Sequence, residues 1–144
     1  MIVATSVTYA NSFSHLIDQS SGKSFPGLEF RVFVPGGGEA SVDIKAYLDT
    51  GAEFCVYDGA LIAPTLGIDL MAGREVRLSS AAGFPIMARI HRLGLSHPDL
   101  GRFTLDAAIS TVPIQRNLLG RDLFRHIQIG FREFHQTFFI TPDH

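Results

Sequence analysis

The stretch A-Y-L-D-T-G-A-E-F, residues 46–54, decides how the fold of this chain is interpreted. Apolar residues lead to a single carboxylate, Asp49, and small residues follow before a second apolar stretch opens at Phe54. A chance D-T-G in a chain of this length has a probability of roughly 3% from average residue usage, so the tripeptide alone is weak evidence. Its position at the end of a predicted strand strengthens it. Either this is an ordinary turn, or Asp49 is held on a tight loop to do chemistry.

Each residue of the triplet has a chemical reason to be there. Asp49 can bind and polarise a water molecule as a general base. Thr50 can fix the loop through a hydrogen bond of its hydroxyl. Gly51 lets the backbone turn sharply, which leaves its N–H free to point at the carboxylate.

The composition predicts one globular domain. The chain has 144 residues, 46% of them hydrophobic, which is enough for a proper core. The net charge is −2 and no run of Lys or Arg forms a basic stripe, so neither nucleic acid nor an anionic membrane is an expected partner. The N-terminus does not resemble a signal peptide, and no apolar run approaches the ~20 residues that span a bilayer. We therefore expect a soluble, cytoplasmic protein.

The single cysteine, Cys55, excludes an intrachain disulfide and a Cys-based zinc site. We expect it to be a small buried hydrophobic residue beside the loop. The six His residues are scattered without metal-ligand spacing, so no metal and no cofactor is expected.

The hydrophobic pattern divides the chain into an N-terminal arm, 1–26, and a single domain, 27–144. The polar, Ser-rich residues 11–24 are either a loose arm or a peripheral strand and loop. Alternating apolar residues then predict a hairpin whose second strand delivers Asp49. The predicted strands are 28–34, 40–48, 54–57, 74–78, 85–95 and 102–110, followed by two closing strands after residue 126. Residues 117–126 are the best helix candidate, and Pro64 and Gly67 limit a second one to a turn or two. Many short strands and few helices predict an all-β barrel or sandwich-like domain.

Three pieces of the chain resemble the retropepsin-like aspartic proteases, the single-domain, retrovirus-type branch of that class, in the family's order. The first is Y-L-D-T-G-A, residues 47–52, and the second is the hairpin tip S-S-A-A-G-F, residues 79–84, where the family's flap lies. The third is L-L-G-R-D-L, residues 118–123. The resemblance covers roughly residues 28–140. It implies an all-β fold, a closed β-barrel of the acid-protease type with one or two short helices.

The resemblance also implies a function and a set of site residues. Aspartic proteases use two carboxylates that share one proton, and this chain has one D-T-G. A catalytic pair then requires a homodimer that contributes Asp49 from each subunit and activates a water to hydrolyse peptide bonds. The partners would be a second copy of the chain and a peptide or protein substrate. The implied loop-supporting residues are Thr50, Gly51, Ala52, Glu53, Gly120 and Arg121, with an ion pair between Glu53 and Arg121. The implied flap and substrate-binding residues are Ser80, Ala81, Ala82, Gly83 and Phe84.

Two other interpretations stay open at this point. One is a non-proteolytic binding or dimerisation module that keeps the fold and lacks turnover. The other is an unrelated β-domain with a chance D-T-G, which predicts a monomer. A cleavage assay that compares the wild type with Asp49→Asn separates the first of these from a peptidase.

Overall fold

The structure is a computed structural model that describes residues 6–79, 83 and 85–143. The strands are β1 (Asn11–Ser14), β2 (Leu16–Ile17), β3 (Ser24–Phe25), β4 (Gly27–Phe33), β5 (Ser41–Leu48), β6 (Val56–Asp58), β7 (Arg74–Ser79), β8 (Pro85–His97), β9 (Gly101–Ser110), β10 (Asn117–Leu119), β11 (Ile127–Arg132) and β12 (Thr137–Pro142). The helices are α1 (Gly59–Leu66) and α2 (Arg121–Phe124), with short 3-10 turns at Leu70–Ala72 and Glu133–His135. In this part of the chain, no helix is both long and apolar enough to cross a membrane.

The main sheet has seven strands in the order β4-β5-β10-β6-β9-β8-β7, and β4 also pairs with β8. The pairings therefore form a ring that runs from β4 through β5, β10, β6, β9 and β8 back to β4. Strand β7 pairs with β8. Strand β4 has one buried and one exposed face. Its residues Leu28, Phe30 and Val32 point into the core, while Glu29 and Arg31 face solvent. The predicted β class is confirmed, and closure into a barrel of the acid-protease type stays a prediction.

The two predicted hairpins are confirmed. Strands β4 and β5 pair antiparallel, with Leu28 opposite Ala46, and Gly36 and Gly38 supply the positive φ angles of 72° and 99° that their turn requires. Strands β7 and β8 also pair antiparallel, from Arg74 opposite Ile90 to Ser79 opposite Pro85. Helix α1 has the predicted length of about two turns and ends at Gly67.

The helix predicted over 117–126 is wrong in its first half. Residues 117–119 form β10, which lies between β5, to which it is parallel, and β6, to which it is antiparallel. Only Arg121–Phe124 is helical. The strands on both sides of β10 supply hydrogen-bond partners for its backbone N–H and C=O groups. This stabilisation exceeds the preference of the same residues for a helix, so tertiary structure overrides the local propensity.

The described part of the N-terminal segment contains strands. Strand β1 pairs antiparallel with β12, in a second sheet of order β1-β12-β11, and β2 pairs with β3. The Phe13 ring stacks on the fully buried Phe138 ring at a centroid distance of 5.3 Å. Of the two possibilities for residues 11–24, the structure therefore shows peripheral strands, and Phe13 ties them to the core.

Candidate active site

Asp49 stands at the end of β5, where the sheet fixes its backbone. The last residue of the strand, Leu48, lies opposite Leu119 of β10. The N–H of Asp49 continues this parallel ladder, because it donates to the Leu119 carbonyl oxygen at 2.9 Å. The backbone of Asp49 is thus fixed by the paired strands β5 and β10.

The loop after Asp49 closes onto the carboxylate. Gly51 N donates to Asp49 Oδ1 at 2.9 Å, which is the orientation predicted for this N–H. Ala52 N donates to the Asp49 carbonyl oxygen at 3.1 Å and completes the turn. A Cβ atom on Gly51 would lie 3.3 Å from Oδ1, so a larger residue would press on the carboxylate. Asp49 is half-buried and accepts no other side-chain hydrogen bond within the described residues, so Oδ2 is left for a partner outside them.

Thr50 makes no side-chain hydrogen bond to the loop within the described part of one chain, and its role in fixing the loop stays a prediction. Its side chain is exposed, and its hydroxyl makes no hydrogen bond among the residues that the structure describes. The hydroxyl is therefore available to a second molecule. The loop is held by backbone groups on both sides of Thr50.

Gly120 and Arg121 support the loop through their backbone. Arg121 N donates to the Ala52 carbonyl oxygen at 2.8 Å, and Asp122 N donates to that of Glu53 at 3.2 Å. A Cβ atom on Gly120 would lie 2.3 Å from the Phe54 carbonyl oxygen and 2.8 Å from that of Ala52. Only glycine lets the two segments approach this closely.

The ion pair predicted between Glu53 and Arg121 is wrong. Both residues are exposed, and no ion pair joins them in the described chain. The physical reason is that the backbone hydrogen bonds already join the two segments, while the two long side chains extend into water, where pairing gains little.

A buried polar pair that the sequence did not predict lies under the loop. Asp122 Oδ1 accepts from Cys55 N at 3.0 Å and from Leu123 N at 2.8 Å, and it lies 3.0 Å from Cys55 Sγ. Gly120 N donates to the same sulfur at 3.4 Å. Cys55 is fully buried, as predicted, but it also bridges the two segments that support Asp49. The only sequence signal for this pair is an aspartate in the first turn of a short helix.

Burial sets the protonation of this pair. It raises the pKa of the Asp122 carboxyl, although the hydrogen bonds from Cys55 and Leu123 act in the opposite direction. Burial also raises the pKa of the Cys55 thiol well above its ordinary value, with the Asp122 charge adding to the effect. The thiol is therefore protonated at neutral pH and donates to Asp122 Oδ1. A protonated, buried thiol is a poor nucleophile.

The flap prediction falls mostly outside the described residues. Strand β7 ends at Ser79 and β8 begins at Pro85, so the position of the hairpin tip is as expected. Ser80, Ala81, Ala82 and Phe84 lie outside the described residues. Gly83 is exposed, with a φ of 83° that favours glycine. Among the residues described, no group of three His, Cys, Asp or Glu side chains could hold a metal ion.

The chain is similar to two solved structures. One is a retropepsin-like aspartic protease from Rickettsia conorii, with a TM-score of 0.62 and 17% identity over 94% of this chain and 96% of the other. The second is EIAV protease complexed with the inhibitor HBY-793, with a TM-score of 0.51 and 15% identity over 76% of this chain and 92% of the other. No family model and no curated protein matches the sequence. The chain has a retropepsin-like fold.

Proposed function

We propose that this chain is an aspartic endopeptidase that works as a homodimer, with one Asp49 from each subunit in a shared active site. One observation carries the proposal. In a retropepsin-like fold, Asp49 follows β5 on a tight loop whose Gly51 N–H donates to one carboxylate oxygen, while the other has no hydrogen bond among the described residues. The same contact between an aspartate and the N–H two residues on occurs at Asp18 and Asp58, as in ordinary Asx turns. What supports the proposal is the place of Asp49, directly after β5 in a retropepsin-like fold.

The need for a second copy follows from the sequence. The chain contains one D-T-G, and a pair of carboxylates therefore requires two chains. A two-fold axis places the same residue on both sides of an interface, so it supplies the second Asp49 without a second motif. The exposed Thr50 hydroxyl, unbonded within the described part of one chain, would bind the partner's loop across this axis.

The proposed mechanism uses the pair as acid and base. Two carboxylates in close contact cannot both ionise, so they hold one proton between them, and this proton belongs to the pair. The ionised Asp49 takes a proton from a water whose oxygen attacks the peptide carbonyl carbon. The protonated Asp49 gives its proton to the carbonyl oxygen. When the tetrahedral intermediate collapses, the C–N bond breaks and the amine nitrogen receives a proton from the pair.

The proposed substrate is an extended peptide between the subunits, bound by β-type backbone hydrogen bonds. The two hairpin tips between β7 and β8 would cover it as flaps. The proposed flap residues are Ser80, Ala81, Ala82, Gly83 and Phe84. Glu53 and Arg121 would flank the catalytic loop at its exposed side.

The test is digestion of a peptide library at high protein concentration from pH 4 to pH 7. We expect the wild type to cleave, and Asp49→Asn to lose at least about 100-fold in kcat/KM, the size expected when a general acid–base group is removed. Asp99→Asn is the matched control, because Asp99 is an exposed carboxylate in the turn between β8 and β9, and it should cleave like the wild type. Silence from the wild type would contradict the proposal and favour the binding or dimerisation module. Equal cleavage by the wild type and Asp49→Asn would show that Asp49 is not the catalytic residue.

A further inference from the structure

A cavity of about 490 Å³ opens beside β5. The side chains that matter for its chemistry are Asp18, Phe25, Lys45, Tyr47, Arg116 and Asn117. Asp18 and Phe25 belong to the segment of β2 and β3, and Lys45 and Tyr47 belong to β5. Asn117 begins β10, and Arg116 is the residue before it. The N-terminal segment thus forms one wall of the cavity, and β5 and β10 of the main sheet contribute to the others.

The cavity is lined by residues near the end of β5, the strand that Asp49 follows. Successive side chains of a strand alternate between its two faces, so those of Lys45 and Tyr47 fall on the same side of β5. Both line the cavity, and Asp49 comes two residues after Tyr47, directly beyond the last residue of the strand. Two residues of a strand span about 7 Å, which is also the spacing of alternate residues in an extended peptide. A peptide bond placed at Asp49 therefore puts a neighbouring substrate side chain near the cavity.

Stacked aromatic rings form a rigid wall of this cavity. The rings of Phe25 and Tyr47 lie nearly parallel, at 12°, with a centroid distance of 3.5 Å. The residue opposite Tyr47 on β4 is Gly27, and a Cβ atom there would lie 2.5 Å from the Phe25 ring. The glycine makes room for the stack, which holds Tyr47 in place.

Arg116 lies over this wall with its donors unused. Its guanidinium carbon is 4.6 Å from the centroid of the Tyr47 ring. The side chain is exposed, and it makes no hydrogen bond or ion pair within the described residues. A stacked guanidinium keeps the N–H groups along its edge free, and that edge matches the two oxygens of a carboxylate.

The cavity's own carboxylate, Asp18, forms no ion pair with Arg116 in the described chain. Asp18 Oδ1 accepts from Ser20 Oγ at 2.6 Å and from Ser20 N at 2.9 Å, and Oδ2 accepts from the Tyr47 hydroxyl at 2.9 Å. These hydrogen bonds lower the pKa of Asp18 to about 2, so it is ionised and fully occupied with its neighbours. Lys45 adds a second positive charge. It lies opposite Glu29 on β4, yet the two form no ion pair in the described chain.

From this arrangement we propose that the cavity is a substrate-selecting pocket that takes a carboxylate-bearing side chain close to the scissile bond, with Arg116 as its bidentate partner. This inference rests on the proposed peptidase function for the position of the scissile bond. The preference of the pocket for a carboxylate is measured as peptide binding, and this measurement does not depend on cleavage.

The test is binding of end-blocked peptides to the Asp49→Asn protein, followed by fluorescence anisotropy. The peptides differ at one position, which is Glu, Gln, Leu or Lys, and this position is scanned along an otherwise constant sequence. Blocked ends ensure that a side chain is the only source of a carboxylate. We expect Glu to bind at least about fivefold more tightly than Gln at one position, and this preference to disappear when Arg116→Ala is added. Addition of Arg116→Glu should reverse the preference toward Lys.

Arg102→Ala is the matched control, because the Arg102 guanidinium also stacks on an aromatic ring, that of Phe33 at 5.0 Å, but lies outside the cavity. It should leave the Glu preference unchanged. Equal binding of Glu and Gln peptides at every position, or no peptide binding at all, would overturn this inference. Cleavage of any library peptide by the wild type would support the peptidase proposal whatever the binding assay shows.

Discussion

At the scale of the residue, the carboxyl of Asp122 shows how the structure holds an acid in place away from solvent. One oxygen accepts hydrogen bonds from Cys55 and Leu123, and the other is buried without a partner. Burial disfavours the charged form of a carboxyl group and raises the pKa of Asp122. Asp122 therefore makes the support of the loop after Asp49 sensitive to pH.

We expect Asp122 to contribute stability at acid pH that disappears as the pH rises. Burial raises the pKa of this carboxyl in the folded protein above its ordinary value of 3.8, so the folded state binds the proton more tightly than the unfolded state. The contribution is full below the unfolded pKa and is lost as the pH rises through the folded pKa. Urea unfolding between pH 3 and pH 7 should show that Asp122→Asn flattens this decline, because an amide does not titrate in this range. The exposed Asp99→Asn should leave the slope as it is, and identical slopes for the wild type and Asp122→Asn would refute this assignment.

Residue patterns predict contacts between neighbours in sequence better than contacts across the fold. The Gly51 N–H pointing at Asp49 was predictable, because a tight turn determines it locally. The Cys55–Asp122 contact joins residues 67 positions apart and leaves no periodic signal. The Glu53–Arg121 pair failed for the opposite reason. The two segments do meet, but at an exposed surface the long side chains are free to point elsewhere.

At the scale of the element, strand length decides what the sequence reveals. Strands β4, β5, β8 and β9 are long enough to show alternating burial, and the sequence predicted each of them. Strand β10 has three residues, too few to show a period, and its apolar residues run directly into a helix start. A strand that exists because of the two partners beside it is difficult to predict from its own residues.

The close approach of the residue after β10 to the segment that follows Asp49 depends on Gly120. We expect Gly120→Ala to lower the free energy of unfolding by about 2–3 kcal/mol, because its Cβ would overlap backbone atoms that cannot move independently. Activity should fall with it, since the Ala52 carbonyl oxygen and Asp49 belong to the same turn. Gly101→Ala is the control, because a Cβ there meets no atom within 4 Å and only its φ of 87° is unfavourable, at about 1 kcal/mol. Urea denaturation measures both, and a Gly120→Ala cost no larger than the control would contradict the close packing described.

At the scale of the whole molecule, the proposed active site is divided between two chains, and this can be tested by mixing. Wild-type and Asp49→Asn proteins combined in equal amounts and allowed to exchange should form mixed dimers, each with one carboxylate. Random association leaves about half as many wild-type dimers as before mixing, so peptidase activity should fall to about half. Mixing with Asp99→Asn should cause no such loss. Full retention of wild-type activity under conditions where sedimentation shows exchange would rule out a shared site.

The place of β10 between β5 and β6 also constrains the order in which the protein is made. The ribosome completes β5 and β6 long before β10, which follows β7, β8 and β9 in the chain. At roughly 5–20 residues per second, several seconds separate the synthesis of Asp49 from that of Gly120. During that interval the Asp49 N–H has no Leu119 carbonyl oxygen to bind, and the Ala52 carbonyl oxygen has no hydrogen bond from Arg121 N. A nascent chain therefore carries Asp49 before the backbone contacts that hold its turn exist. The late arrival of the three residues of β10 sets the earliest moment at which the geometry proposed for catalysis forms.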